Sequence, residues 1–244
     1  MQRPADHERP VTNLVAGGTG ALGSALVGLL LERGERVCVP WIDEAQAARL
    51  RDLHAEALDE GRLRLSRCDV ADPDQVAALL DVLEAVWGPL WMACSTVGGW
   101  EGGTNVEDLD DITVLDRQLL LNLRTATVVA REGLRHMGAA GGRVVLVGSQ
   151  TVDHPAPGQA AYTAAKAGVL ALVRTLATEL RGSGRTANAV IPKVIDTPAN
   201  RTAMPSADHA RWVPPRAIAK VIVWLASADS WPVTGATVHV PGDA

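Results

Sequence analysis

Tyr162 and Lys166 stand four residues apart in an alanine-rich stretch, residues 159–180, that reads as one long helix. Residues at that spacing share a helix face. A phenol in water titrates at about pH 10. An ammonium beside it favours the phenolate and lowers that pKa, which suits the group to general acid–base work. The other reading, a surface cation–aromatic pair, is the weaker one on composition. The chain holds one Tyr, and its only lysines are Lys166, Lys193 and Lys220.

Two further polar residues occupy positions that invite a role. Ser149 follows a short apolar run, residues 143–147, where its hydroxyl either bonds a substrate oxygen or caps the next turn. Asn122 lies between Leu121 and Leu123 in a helical stretch, residues 111–137, and asparagine is unfavourable inside a helix. It holds a water or a backbone group, or it is a satisfied core amide. Near the start, Gly17-Gly18-Thr19-Gly20-Ala21-Leu22-Gly23 links a first strand to a first helix. Glycines there permit a tight turn and close approach of a pyrophosphate, and the helix start offers free N–H groups to it. Asp69, in Cys68-Asp69-Val70, either accepts from an adenine amino group or closes a turn.

The elements that must position these residues alternate along the chain. Strand patterns fall at residues 12–16, 36–41, 63–68, 90–94, 143–147, 186–191 and 236–240. Helical patterns fall at 21–33, 43–60, 72–87, 111–137, 159–180 and 214–226. Residues 198–212 are polar and broken, as in a mobile loop. Apolar strands alternating with helices imply a parallel sheet covered on both faces. The expected fold is therefore α/β, a Rossmann-type doubly wound sheet of about seven strands. Ligands bind such sheets at the carboxyl ends of the strands. One domain is expected over residues 11–244, after a flexible extension over 1–10.

Composition excludes several function classes. A net charge of −5 is wrong for a protein whose main partner is nucleic acid. No apolar run is long enough to span a bilayer, and the first ten residues lack a signal core, so a cytoplasmic location is expected. Cys38, Cys68 and Cys94 are widely spaced and the six histidines scattered, so no metal site is expected.

Over nearly its whole length the sequence resembles the short-chain dehydrogenase/reductases, especially single-domain members like the 3-oxoacyl reductases. Asn122, Ser149 and Tyr162-x-x-x-Lys166 carry the resemblance, in the family's order. It implies NAD(P)(H)-dependent hydride transfer between nicotinamide and a ketone or secondary alcohol. Tyr162 would give or take the proton, Ser149 would orient the oxygen, and Asn122 would hold a water linked to Lys166. Lys166 would bind the nicotinamide ribose and lower the Tyr162 pKa. Implied cofactor contacts, besides Tyr162 and Lys166, come from three regions. The glycine loop supplies Gly17, Thr19, Gly20, Leu22 and Gly23. The ends of strands two to four supply Trp41, Asp69, Val70, Ser95 and Val97. The turn after strand six supplies Pro192, Ile195 and Thr197.

Departures from the family pattern are Ala21 for a glycine, Ser95-Thr96-Val97-Gly98 for Asn-Asn-Ala-Gly, and Pro192-Lys193 for Pro-Gly. NAD enzymes of the family carry an acid where Trp41 stands. Its loss removes repulsion against a 2′-phosphate, although no arginine follows to bind it, and the cofactor reading leans slightly to NADP(H) over NAD(H). Asp43 reaches the ribose or caps its helix. The implied substrate pocket includes Trp100, Gln150, Arg201 and Trp212, with Arg201 as the anion partner. The resemblance also implies a homotetramer or a dimer. The alternative is a non-catalytic dinucleotide-binding protein used as regulator or scaffold.

Overall fold

Strand β1 (Thr12–Ala16) is buried along its whole length in the computed structural model, which describes residues 11–243. The extension expected over residues 1–10 lies outside the described residues. Gly17 ends β1 at φ +77°, a left-handed conformation that glycine adopts without strain. Helix α1 (Ala21–Glu32) then starts at Gly20 and buries a stripe of leucines. Strand β2 (Arg36–Trp41) follows.

The single helix expected over 43–60 is instead two, α2 (Glu44–Leu53) and α3 (Ala55–Asp59). The break falls at His54, which leaves helical geometry and turns its ring onto Gly28 of α1, within 3.6 Å of where a Cβ would sit. Strand β3 (Leu63–Arg67) leads to α4 (Pro73–Trp87). Asp72 caps α4 by accepting from the Asp74 and Gln75 N–H groups, and proline occupies the first turn, where its missing N–H costs nothing.

After β4 (Leu90–Ser95), α5 (Thr113–Gln118) and α6 (Thr125–Arg135) flank a wide π-type turn, Leu119–Arg124. Such turns insert one residue into the helical ladder and re-aim the side chains beside it. Strand β5 (Gly142–Val147), α7 (Ala160–Glu179) and β6 (Arg185–Pro192) follow. The segment expected as a mobile loop contains α8 (Pro198–Ala203), capped by Thr197 Oγ1 accepting from the Asn200 N–H at 3.1 Å. A short turn, His209–Arg211, closes it. Helix α9 (Pro215–Ala226) and β7 (Thr237–Val240) complete the fold.

All seven strands are parallel, in the order β3-β2-β1-β4-β5-β6-β7. One apolar core lies on the face covered by α4, α6 and α7, the other on the face covered by α1 and α9. At the amino ends of the strands, Arg143 is wholly buried and stacks on Trp91 at 4.5 Å. It donates to the carbonyls of Gly142, Gly184 and Ser227. The strand order reverses between β1 and β4, which opens a crevice at their carboxyl ends.

Candidate active site

Helix α7 carries Tyr162 and Lys166 on the face turned toward that crevice. The Lys166 Nζ lies 5.8 Å from the Tyr162 ring centroid and donates to the Val147 carbonyl at 3.0 Å. Ser149, just beyond β5, has a buried hydroxyl that accepts from the Thr151 N–H at 3.3 Å and the Thr151 hydroxyl at 3.0 Å. The Ser149 hydroxyl lies close enough to Tyr162 to favour its phenolate. With both Thr151 donors directed at its oxygen, Ser149 keeps its own proton for a group in the crevice.

The wide turn aims Asn122 at the loop after β4. Its Nδ2 donates to the Gly99 carbonyl at 3.1 Å, the Gln118 carbonyl at 3.2 Å and Gln118 Oε1 at 3.0 Å. Its Oδ1 accepts from the Gly99 N–H at 3.3 Å. Of the roles open to it in sequence, the amide therefore holds a backbone group. A Cβ on Gly98 would fall 2.8 Å from Asn122 Oδ1 and 3.1 Å from Lys166 Nζ, so Asn122, Gly98 and Lys166 pack as one cluster.

Gly98, Lys166, Tyr162 and Ser149 border a cleft of about 560 Å³, within the size range of small-molecule and cofactor sites, and Asn122 stands behind its Gly98–Gly99 wall. Ser149, Tyr162, Lys166, Thr96, Trp100 and Met204 line it. Leu22, Pro192 and Ile195, expected at the cofactor, line the same cleft. Gln150, Arg201 and Trp212, expected at the substrate pocket, do not. Gln150 opens the turn after Ser149 with its Oε1 buried. Arg201 is engaged twice by Asp196, at 2.6 and 2.8 Å, and so is spent as an anion partner. Trp212 is buried against the His209 ring at 4.4 Å. The lining residues Thr96, Gly98 and Gly99 went unread as site residues, although two glycines straight after an apolar strand mark a close approach.

The glycine loop fits a dinucleotide. A Cβ on Gly17 would lie 2.7 Å from Thr96 Oγ1, and one on Gly23 would lie 2.1 Å from the Gly17 carbonyl oxygen. No side chain caps α1, so its first N–H groups are available to a phosphate. Ala21 is exposed, and its methyl group has room where the family has glycine. Thr19 donates to Gln46 at 3.1 Å, tying the loop to α2. Trp41 ends β2 with a buried Nε1 that has no partner among the described residues, and the Arg51 guanidinium lies 5.4 Å from its ring. Asp43 caps α2, and its hydrogen bonds from Gln46 hold its carboxyl below the usual range.

The remaining implied contacts are also placed. Asp69 accepts from the Ala71 N–H at 2.9 Å, a closed turn, with Val70 buried beside it. The buried Ser95 hydroxyl is without a partner among the described residues, and Val97 packs on the core. Thr197 is committed to capping α8.

The electrostatics reverse one expectation. Burial pushes the Tyr162 phenol above its ordinary pKa of 10, opposed by the nearby Ser149 hydroxyl. Burial also lowers Lys166 from 10.5 to about 8. Desolvation, which spacing cannot reveal, outweighs the lowering of Tyr162 expected from the neighbouring ammonium. For Lys166 the folded pKa lies below the unfolded one, so the unfolded chain binds that proton more tightly between pH 8 and 10.5. Stability should rise across that window, and below pH 8 the fold bears the whole cost, about 3 kcal/mol. Lys166→Met is therefore expected to raise the melting temperature by several degrees at pH 7 and by less at pH 10. A lower melting temperature at pH 7 would show that the Val147 contact outweighs the burial cost.

Among the described residues, no group of three His, Cys, Asp or Glu side chains is placed to hold a metal ion, and no helix is long and apolar enough to cross a membrane.

Residues 17–242 match the family model described as enoyl-(acyl carrier protein) reductase. Cis-4-hydroxycyclohexanecarboxylate dehydrogenase of Sinomonas cyclohexanicum is 33% identical over 241 residues, covering 94% of this chain and 94% of its own. A 3-oxoacyl-[acyl-carrier-protein] reductase of Vibrio harveyi is 29% identical, covering 94% and 95%. A short-chain dehydrogenase/reductase structure from Serratia marcescens aligns at TM-score 0.86 and 26% identity, covering 96% and 98%. A blue fluorescent protein from a metagenomic library, solved in complex with NADPH, aligns at TM-score 0.85 and 27% identity, covering 96% and 97%.

Proposed function

Because this chain belongs to the short-chain dehydrogenase/reductase family and is an NAD(P)-dependent oxidoreductase acting between alcohol and carbonyl groups, we propose that it interconverts a ketone and a secondary alcohol with Tyr162 as the proton donor and acceptor. One observation carries the assignment. The cleft wall brings together the chain's sole phenol, a serine hydroxyl and a buried ammonium.

In this reading the nicotinamide, when bound, supplies or accepts the hydride. Ser149 directs its proton at the substrate oxygen and fixes it beside Tyr162. During reduction the Tyr162 hydroxyl donates its proton to that oxygen; during oxidation the phenolate takes the proton back. Lys166 spends one donor on Val147 and keeps two for a ribose hydroxyl, and its charge steadies the phenolate. Asn122 positions the cleft through the Gly99 backbone.

We place the pyrophosphate on Gly17, Thr19, Gly20, Leu22 and Gly23, and the adenosine against Trp41, Asp69, Val70, Ser95 and Val97. Pro192, Ile195 and Thr197 would border the nicotinamide. NADP(H) is favoured over NAD(H). Trp41 brings no carboxylate to repel a 2′-phosphate, whereas Arg51, over the Trp41 ring, is already paired with Glu44 and adds nothing to this preference. We take residues 11–244 as one catalytic domain of a cytoplasmic homo-oligomer, a tetramer or a dimer. Exposed Leu120 and Leu121 offer apolar surface for helix pairing. A non-catalytic regulator is not favoured, since the relatives are named dehydrogenases and reductases.

Titration with NADPH and NADH, read by tryptophan fluorescence, tests the reading. Saturable binding is expected, tighter for NADPH. Binding of neither dinucleotide would overturn the proposal, and tighter NADH binding would reverse the cofactor assignment alone.

A further inference from the structure

We propose that the cleft selects ketones and alcohols that carry a carboxylate, and that Lys193 is the residue recognising it. The inference rests on the reading of this cleft as the substrate site and adds the substrate's charge.

The residues lining the cleft include two lysines, Lys166 and Lys193, and no aspartate or glutamate. Lys166 is buried and its ammonium is held by the Val147 carbonyl. Lys193 is different. It is exposed, and among the described residues it makes no ion pair and no side-chain hydrogen bond. Its backbone is anchored, because it directly follows Pro192, which ends β6 and pairs with Val240 of β7. The acid closest in sequence, Asp196, is held by both nitrogens of the Arg201 fork. Among the described residues no carboxylate pairs with Lys193, and no acid lines the cleft.

An uncompensated ammonium in a concave site raises the local concentration of anions. Lysine is a compact point charge, suited to one carboxylate. A phosphate dianion calls for several donors, but Arg201 is engaged by Asp196 and Lys166 is buried and assigned to the ribose. Much of the remaining wall is apolar, with Trp100, Val194, Ala203 and Met204 available to a carbon skeleton linking the carbonyl to the acid. The cofactor's own phosphates are the other source of an anion, and they are separated by experiment.

Calorimetric titration of the NADP⁺-saturated protein compares 4-oxopentanoate and 4-oxocyclohexanecarboxylate, each with its methyl ester. In at least one pair the acid is expected to bind about tenfold or more tighter than the ester, as for a hydrogen bond to a charged group. Lys193→Met should remove that difference by weakening the acid alone, and Lys193→Arg should keep most of it. NADP⁺ affinity should be essentially unchanged in both variants, because Lys193 is assigned to substrate rather than cofactor.

Equal affinity of acid and ester in both pairs, or no binding of any of the four, would overturn the proposal. So would discrimination that survives Lys193→Met, or a loss confined to NADP⁺ binding. The binding comparison needs no turnover. A protein that bound the acids selectively yet reduced no ketone would fail the reductase reading and leave this one standing.

Discussion

Tyr162→Phe is expected to lower kcat by about 10²- to 10⁴-fold, the usual contribution of a positioned acid–base group, and to leave NADPH affinity within about twofold. The substitution removes one oxygen and keeps the ring, which stands beside Lys166 and helps to bury it. No neighbour can replace the phenol. Lys166 is assigned to the ribose hydroxyl, and the aliphatic hydroxyl of Ser149 is a far weaker acid than a phenol. The fold should survive, since the change removes one hydroxyl and keeps the packed ring. Steady-state rates at saturating NADPH, with a melting curve on the same sample, check all three expectations. Activity within about tenfold of the parent would remove Tyr162 from its assigned role.

Gly23→Ala should be the most damaging small change at the cofactor side. A Cβ there meets the Gly17 carbonyl oxygen at 2.1 Å and the Gly18 Cα at 2.6 Å. Both are backbone atoms, so no rotamer change relieves the clash. Either α1 must move away from the loop or the loop must open, and each alternative disperses the N–H groups that would meet a pyrophosphate. Dinucleotide affinity should fall by more than about tenfold, with overpacking costing about 1–3 kcal/mol of stability. Gly28→Ala is the matched control. It lies inside α1, outside the loop, and its nearest contact is 3.6 Å, to the His54 ring. If the two variants bound NADPH alike, close packing of the loop would not govern binding.

Much of the frame was legible in the residues. Strands β1 and β2 form where continuous apolar runs stop at glycine or at a polar turn, and α7 spans nearly the whole alanine-rich stretch. Several features were not legible, each for a physical reason. The wide turn at Leu119–Arg124 differs from a regular helix by one hydrogen-bond register, which leaves no periodic trace beyond an ill-placed Asn122. The break at His54 depends on a ring contact with α1. Helix α8 announced itself through Thr197-Pro198, a cap followed by a first-turn proline, yet the polar composition around it concealed the signal.

The site shows the same division. Residue types and spacing pointed to Tyr162, Lys166, Ser149 and Asn122, which the fold brings to one cluster around the cleft. Charge partners were hidden, because pairing is tertiary. Arg201 turns to Asp196 rather than to the cleft, and Arg51 reaches Trp41 only because α2 folds back. The pKa directions were hidden too, since they follow burial: Lys166 falls to about 8 and Tyr162 rises.

The most direct test of the central claim is the nicotinamide absorbance of the NADPH-saturated protein after addition of a panel of cyclic and open-chain ketones, keto acids included. The account predicts a ketone-dependent fall in that absorbance, reversed by the matching alcohol with NADP⁺. Tight NADPH binding without oxidation by any ketone, and without reduction of NADP⁺ by any alcohol, would contradict it.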